Sequence, residues 1–407
     1  MSFYKEYYLS DNPFPTTPIL DPSSEDDRIN GAIFNSDIVV EEIESFQSKI
    51  RRRPPLIYVE NSDFIRGVGK SALVVQQWRR LREQHGNVTS IYIRSEKKLK
   101  PADFAARFIG NWHQSGHLWP TVLAALDAYA KETSQGEITP AGVEAFRKAF
   151  PHLPLRPIPL LNFMVYNPEQ LVSDLAVWAH RHSGQKLHLD LAQVFFQSYL
   201  ADPRSFPDAY PKMLRKHKWD DITMLTAIYR LMKLGGYEYH YVFLDQFEDI
   251  VHGLSGKTLI TFNTEMRRLI EASIAQATLI VTLHPGATAT LSSDEGGDIT
   301  SIAPLDQRHV VDVRSLPKDS ASLLAKSYLD HYRISESSPP DALYPFTSEA
   351  ILEIYEATHG NIRACLLAFN YAIEKGVDED FSVIDGGFLA DHHPHITGRV
   401  SPEEVVL

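Results

Sequence analysis

Apolar residues follow two rhythms along this chain, and the switches between them mark its elements. Short, nearly continuous apolar runs read as buried strands. They are Leu56–Val59, Thr89–Arg94, Tyr239–Asp245, Thr278–His284 and Val310–Val313. Elsewhere apolar residues recur every three or four positions, the period of a helix with one buried face. This pattern predicts helices over Asp37–Lys49, Ala72–Gln84, Thr258–Ala275 and Asp319–His331, and another carrying Arg363–Glu374. It also runs through a long stretch, about 96–236, in Phe104, Phe108 and Trp112, in Leu171, Leu175 and Trp178, and in Ile222, Leu225, Tyr229 and Met232. Pro151, Pro154 and Pro203 punctuate that stretch, and Gly235-Gly236 stops its last helix. Thr347 reads as a helix cap, with Glu349 in the favourable first turn, and Gly360-Asn361 as a separator. The start is rich in proline and serine, from Asn12-Pro13-Phe14-Pro15 to Ser24, and should be extended. From Gly376 the tail reads as acidic and then loop-like. Strands separated by helices predict an α/β fold with a parallel sheet. No internal repeat is visible.

Composition narrows the picture. The 407 residues are 43% hydrophobic, enough for sizeable cores and two or three domains. One cysteine, Cys365, excludes an internal disulfide framework and points to a reducing, cytoplasmic setting. No apolar run reaches transmembrane length, and Met1–Glu6 does not resemble a signal peptide. A net charge of −12 means that the surface as a whole should not attract nucleic acid. Contact with DNA would need a partner or a local basic face. Arg51-Arg52-Arg53 and Arg94–Lys100 are candidates for such a face; as solvated surface runs they would carry no function.

Two segments carry chemistry. Leu56–Val59 precedes Arg66-Gly67-Val68-Gly69-Lys70-Ser71, and Ala72 opens a helical pattern. Strand, glycine loop, Gly-Lys-Ser and helix form the layout of a phosphate-binding P-loop. Glycines let backbone N–H groups approach phosphate oxygens. Lys70 would reach the β- and γ-phosphates, and Ser71 would ligate Mg²⁺. One position departs, since Phe64 stands where the motif's first glycine is expected. A plain glycine turn with a surface lysine is the alternative. The second segment is the apolar run Tyr239–Leu244, which ends in Asp245. A carboxylate at the C-terminal end of a parallel strand lies where open α/β sheets bind ligands, and it could hold Mg²⁺ directly or through water. A capping aspartate is the plainer alternative.

The order of these motifs resembles the AAA+ and STAND branch of P-loop ATPases, including origin-recognition-type and transposition-regulator ATPases. The resemblance covers about 56–94 and 236–376. Gly67, Gly69, Lys70 and Ser71 fall on the Walker A positions and Asp245 on the Walker B aspartate. Asp245-Gln246-Phe247-Glu248 is similar to a STAND signature. Thr282-Leu283-His284 falls where those proteins place a Thr-Leu-Arg sensor. Thr358–Arg363 resembles the start of a lid helix whose arginine reaches the nucleotide. Asn12–Pro15 and Ile29–Phe34 resemble an arm that wraps near the adenine.

The resemblance implies a P-loop NTPase core in two parts, 1–95 (with the arm) and 236–314, split by a helical insertion, 96–235. A helical lid, 315–378, and the acidic tail, 379–407, follow. It implies Mg²⁺-ATP bound by Gly67, Val68, Gly69, Lys70, Ser71 and Ala72, with His284 and Arg363 nearby and Ser71 and Asp245 on the metal. It further implies ATP hydrolysis, protein partners from the same operon and an ability to form homo-oligomers. The operon would serve DNA modification, a mobile element or antiviral defence. Two departures matter. Gln246 stands where a catalytic glutamate is usual, so Glu248 is the candidate to polarise water. His284 replaces the sensor arginine. A nucleotide-gated scaffold with little hydrolysis is the competing expectation. Three features have plainer readings: Gly253–Thr258 as a loop and helix start, Asp391-His392-His393-Pro394-His395 as adventitious metal ligands, and Arg267-Arg268 as surface ion pairs rather than an arginine finger.

Overall fold

A computed structural model describes residues 3–61, 66–84, 86–95, 101–133, 168–247, 250, 256–283, 308–335 and 337–396. Five strands form one all-parallel sheet: β1 (Leu56–Glu60), β2 (Val88–Arg94), β3 (Tyr239–Asp245), β4 (Ala277–Thr282) and β5 (Arg308–Asp312). Their order is β2-β3-β4-β1-β5. β4 therefore separates β1 from β3, with Leu56 opposite Leu279 on one side and Val242 opposite Leu279 on the other. Every residue of β3 and β4 is buried, which explains why these strands are near-continuous apolar runs.

Alternate residues of each strand face two different cores. Leu56, Tyr58, Ile91, Ile93, Val242, Leu244, Leu279 and Val281 pack on one side. Ile57, Val59, Tyr241, Phe243, Ile280 and Val311 pack on the other. The first face is covered by α4 (Pro101–Gln114), α5 (Trp119–Thr133), α6 (Pro168–His182), α7 (Leu189–Ala201), α8 (Phe206–Lys216), α9 (Asp221–Leu234) and α10 (Gly256–Ser273). The described helices of segment 96–235, together with α10, thus cover this face of the sheet. Their tie to the sheet is polar as well as apolar. Trp112 Nε1 donates to Thr89 Oγ1 at 3.1 Å, and Thr89 Oγ1 meets His240 Nδ1 at 2.9 Å. Burying these polar atoms is tolerable only because they pair with one another.

The second face is covered by α2 (Val40–Arg51), α3 (Lys70–Glu83) and the C-terminal helices α11 (Ala321–Tyr332), α12 (Ser348–Ala357) and α13 (Ile362–Asp378). The short α1 (Asp27–Asn30) belongs to the N-terminal arm. That arm crosses the C-terminal helices. Phe14 is fully buried against Tyr328, Phe346 and Phe369. Asn12 Nδ2 donates to Glu374 Oε1 at 2.6 Å, and Asn370 Nδ2 donates to the Phe14 carbonyl at 2.7 Å.

Two expectations need correction. Helix α3 starts at Lys70 rather than Ala72, because Gly69 at φ 97° turns the chain directly into it. The tail is not loop-like after Gly376. Helix α13 continues to Asp378, and α14 (Gly386–Ile396) follows, burying Phe388, Leu389 and Ile396 in the second core. The opening Gly386-Gly387 and the internal Pro394 obscure that helix in the sequence.

Candidate functional site

The turn after β1 has its shape from two glycines. Gly67 and Gly69 lie at φ 84° and 97°, where side chains are disfavoured. Packing forbids a side chain at Gly67 as well. A Cβ there would meet Asn361 Oδ1 at 2.6 Å and Arg363 Cβ at 2.8 Å. Val68, between them, points into the second core and is 1% exposed. It anchors the turn, and only its backbone is available to a ligand. Lys70 and Ser71 then open the first turn of α3, where unpaired N–H groups and the helix dipole favour an anion.

Ser71 comes within hydrogen-bond reach of Asp245, 174 residues away in sequence, donating from Oγ to Oδ1 at 3.1 Å. Asp245 is 1% exposed and accepts three further bonds. Thr282 Oγ1 donates to Oδ1 at 2.7 Å, the Gln246 N–H donates to Oδ1 at 3.0 Å, and Tyr92 OH donates to Oδ2 at 2.7 Å. The sheet order explains this convergence. β2 and β4 flank β3, so each contributes a hydroxyl at the same C-terminal edge. Burial, and then the Asp245 charge, push the Tyr92 phenol far above its usual range, so it remains a neutral donor. The carboxylate is thereby fixed in one orientation beside Ser71.

A cleft of about 390 Å³ lies over this edge. Its floor is Gly67, Gly69, Lys70, Ser71 and Ala72. Ile362, Arg363 and Leu366 of α13 form one wall together with Tyr328. Pro18–Leu20, Arg28 and Ile29 of the arm form another, and Arg94 and Gln246 close the sheet side. Apolar and cationic groups thus share one concavity, as an aromatic base with an anionic tail requires.

Helix α13 is bonded to the loop. Asn361 caps it, accepting from the Ala364 N–H at 3.1 Å, and its Nδ2 donates to the Arg66 carbonyl. The Arg363 N–H donates to the Gly67 carbonyl at 3.0 Å. Burial pushes the Arg363 pKa down, and the nearby Arg66 charge adds to it. Among the described residues, no carboxylate lies within ion-pair reach of Arg363. Two guanidiniums beside a lysine and a helix start make a strongly anion-seeking corner.

Ser71 Oγ and Asp245 Oδ1 also suit a small hard cation. Mg²⁺ takes oxygen ligands, commonly one or two from protein and the rest from phosphates and water. The site therefore gathers Gly67, Gly69, Lys70, Ser71, Ala72, Asp245 and Arg363. Glu248 and His284, like Phe64, lie outside the described residues. Tyr92, Arg66 and Asn361 join the site without having been singled out as ligands. Tyr92 had a visible signal: it is a polar-tipped residue two places before the end of a strand.

The other candidates lie elsewhere. Lys257 is exposed in the first turn of α10 and does not line the cleft. Arg267 pairs with Glu271 at 3.2 Å and Arg268 with Asp220 at 3.4 Å, all on the surface. His392 Nε2 lies 3.2 Å from Glu379. No helix among the described residues is long and apolar enough to cross a membrane. The chain matches no family model, and no curated protein is significantly similar to it.

Proposed function

We propose that this chain is a Mg²⁺-ATP-binding P-loop ATPase of the AAA+/STAND type whose nucleotide state governs assembly or partner binding. The observation that carries the reading is the 3.1 Å contact between Ser71 and Asp245. It joins two independently recognised motifs at one sheet edge, beside Lys70, which lines the cleft. The loop amides and Lys70 hold the phosphates. Ser71, with Asp245 behind it, holds Mg²⁺, which neutralises phosphate charge when bound. The base lies against Ile19, Leu20, Ile29 and Tyr328. Arg363 meets the terminal phosphate from the α13 wall. Glu248 orients the attacking water. Rate enhancement comes from positioning and fixed charge rather than covalent chemistry.

A second reading, a nucleotide-gated scaffold with slow turnover, is favoured by Gln246. Its amide lines the cleft and accepts from Arg94 Nε at 2.9 Å. An amide so held cannot take a proton from water. A role in DNA modification, a mobile element or antiviral defence belongs to the same proposal and rests on the resemblance of the motifs.

Titration calorimetry with Lys70→Ala tests the nucleotide site. A charge-assisted bond contributes about 1.5–3 kcal/mol, so ATP affinity should fall about tenfold to a hundredfold in a folded protein. Unchanged affinity would remove the P-loop reading. A phosphate-release assay on the native chain separates the two readings.

A further inference from the structure

The end of the sheet opposite the cleft carries a feature that nucleotide binding does not use. Arg51, Arg52 and Arg53 leave α2 consecutively, and all three are exposed. Arg53 sits at φ 50°, a conformation that side chains other than glycine adopt at a cost. The surroundings hold it there. Tyr239 OH donates to the Arg53 carbonyl at 3.0 Å, and Thr278 Oγ1 donates to the Pro54 carbonyl at 2.6 Å. Tyr241 OH donates to the Ile50 carbonyl at 3.4 Å. The Arg53 guanidinium lies 4.7 Å from the centre of the Tyr239 ring. Three hydroxyls from β3 and β4 thus lock an arginine turn.

Further positive charge is crowded against it. Lys49 lies one turn back on α2, its ammonium on Ser45 Oγ at 2.7 Å. His309 of β5 pairs in register with Ile57. Burial and then Arg52 push the Lys49 pKa down. Burial, Arg52 and Lys49 do the same for His309. Among the described residues, none of Lys49, Arg51, Arg52 and Arg53 forms an ion pair. Yet the chain has 52 acidic residues against 40 basic ones. The C-terminal dipole of α2 favours cations in its last turn. It does not account for a strained Arg53 or for a histidine on another element.

We propose that this face binds the phosphodiester backbone of a nucleic acid duplex, leaving the nucleotide cleft at the other sheet edge free. Three of the four cations in segment 49–53 are arginines, whose planar forks suit phosphate. The segment exposes no large apolar residue to enter a bilayer and no aromatic on which to stack an unpaired base. Binding through phosphates is sequence-independent and salt-dependent.

The test is fluorescence anisotropy of the full chain with a labelled DNA duplex of arbitrary sequence, over a range of KCl concentrations. Binding should be of the non-specific class, about 10⁻⁴–10⁻⁶ M near physiological salt, and should tighten as salt falls. Arg51→Ala with Arg52→Ala removes two exposed guanidiniums and leaves the locked Arg53 turn. It should weaken binding about tenfold or more and reduce the log–log salt slope by roughly 2. Arg51→Lys with Arg52→Lys should keep most of that slope, which separates charge from fold. Lys70→Ala should bind the duplex as the native chain does, so failure of the ATP reading leaves this test intact. An RNA duplex in parallel tells which nucleic acid is preferred. No duplex binding at low salt, binding indifferent to the alanine pair, or binding to phosphatidylserine vesicles but not to duplex would each overturn the proposal.

Discussion

Arg363 is a cation placed where burial disfavours it, next to Arg66 and, among the described residues, out of ion-pair reach of any carboxylate. Such a position is stable only with an anion present some of the time, or with backbone bonds fixing the residue regardless. Both descriptions fit, because the Arg363 N–H is itself bonded to Gly67. Truncating the side chain leaves that backbone bond in place. Arg363→Ala should therefore bind ADP nearly as the native chain does and lose about tenfold or more in preference for ATP, measured as a ratio of calorimetric affinities. An unchanged ratio would confine Arg363 to packing. On the proposed ATPase reading, hydrolysis should turn on Glu248 and Gln246. Glu248→Gln should keep ATP binding and lose most phosphate release. Gln246→Glu alone should raise turnover little, because Arg94 would pair with the new carboxylate and lower its basicity. Adding Arg94→Gln should release that carboxylate and raise turnover further.

At the scale of elements, the join between the loop and α13 matters most. Asn361 performs two tasks at once, capping α13 and holding the Arg66 carbonyl. Thr347 performs only the first, capping α12 through the Ala350 N–H at 3.1 Å. This gives a matched comparison. Asn361→Ala and Thr347→Ala should each cost about 0.5–2 kcal/mol in chemical denaturation. Only Asn361→Ala should also weaken ATP binding. Equal effects on affinity would mean that the cap does not position the loop.

The sequence showed β1, β3 and the Gly-Lys-Ser turn clearly, because buried parallel strands and positive-φ glycines leave local signatures. Strand order left none. Placing β4 between β1 and β3 depends on pairings such as Leu56 with Leu279, which no window of neighbours encodes. Tyr92 and Thr282 converge on Asp245 as a consequence of that order. Asn361 read as a mere separator because its second bond is made to a segment 295 residues away.

Across the whole molecule, the interface between the sheet and the first-face helices carries histidines that resist protonation, His240 buried and His113 and His117 half-buried. Burial, aided by His117, pushes His240 down to about 3, and burial lowers His113 and His117 too. In the unfolded chain these groups titrate near 6.5. Below that pH the unfolded state takes up protons that the native state refuses, so stability falls as pH drops from about 6.5 toward about 3. His240 contributes up to about 1.4 kcal/mol per pH unit in that window. His240→Phe keeps a ring against Tyr229, where the native rings stack at 5.0 Å. It should flatten the loss of stability between about pH 6.5 and about pH 5, read from denaturant midpoints. A slope equal to that of the native chain would show that His240 charges in the folded state.

The arm that walls the cleft also sets a schedule. Phe14 reaches its buried place only when Asn370, 356 residues later, can close over it. At about 5–20 residues per second, a ribosome needs roughly 20–70 s to supply that partner. Throughout that interval one of the first large aromatics to be made stands in water, and the wall it will complete does not yet exist. A chain still in synthesis therefore lacks this side of the cleft until its C-terminal helices are made, and the wall that the arm and α13 share is among the last things its folding supplies.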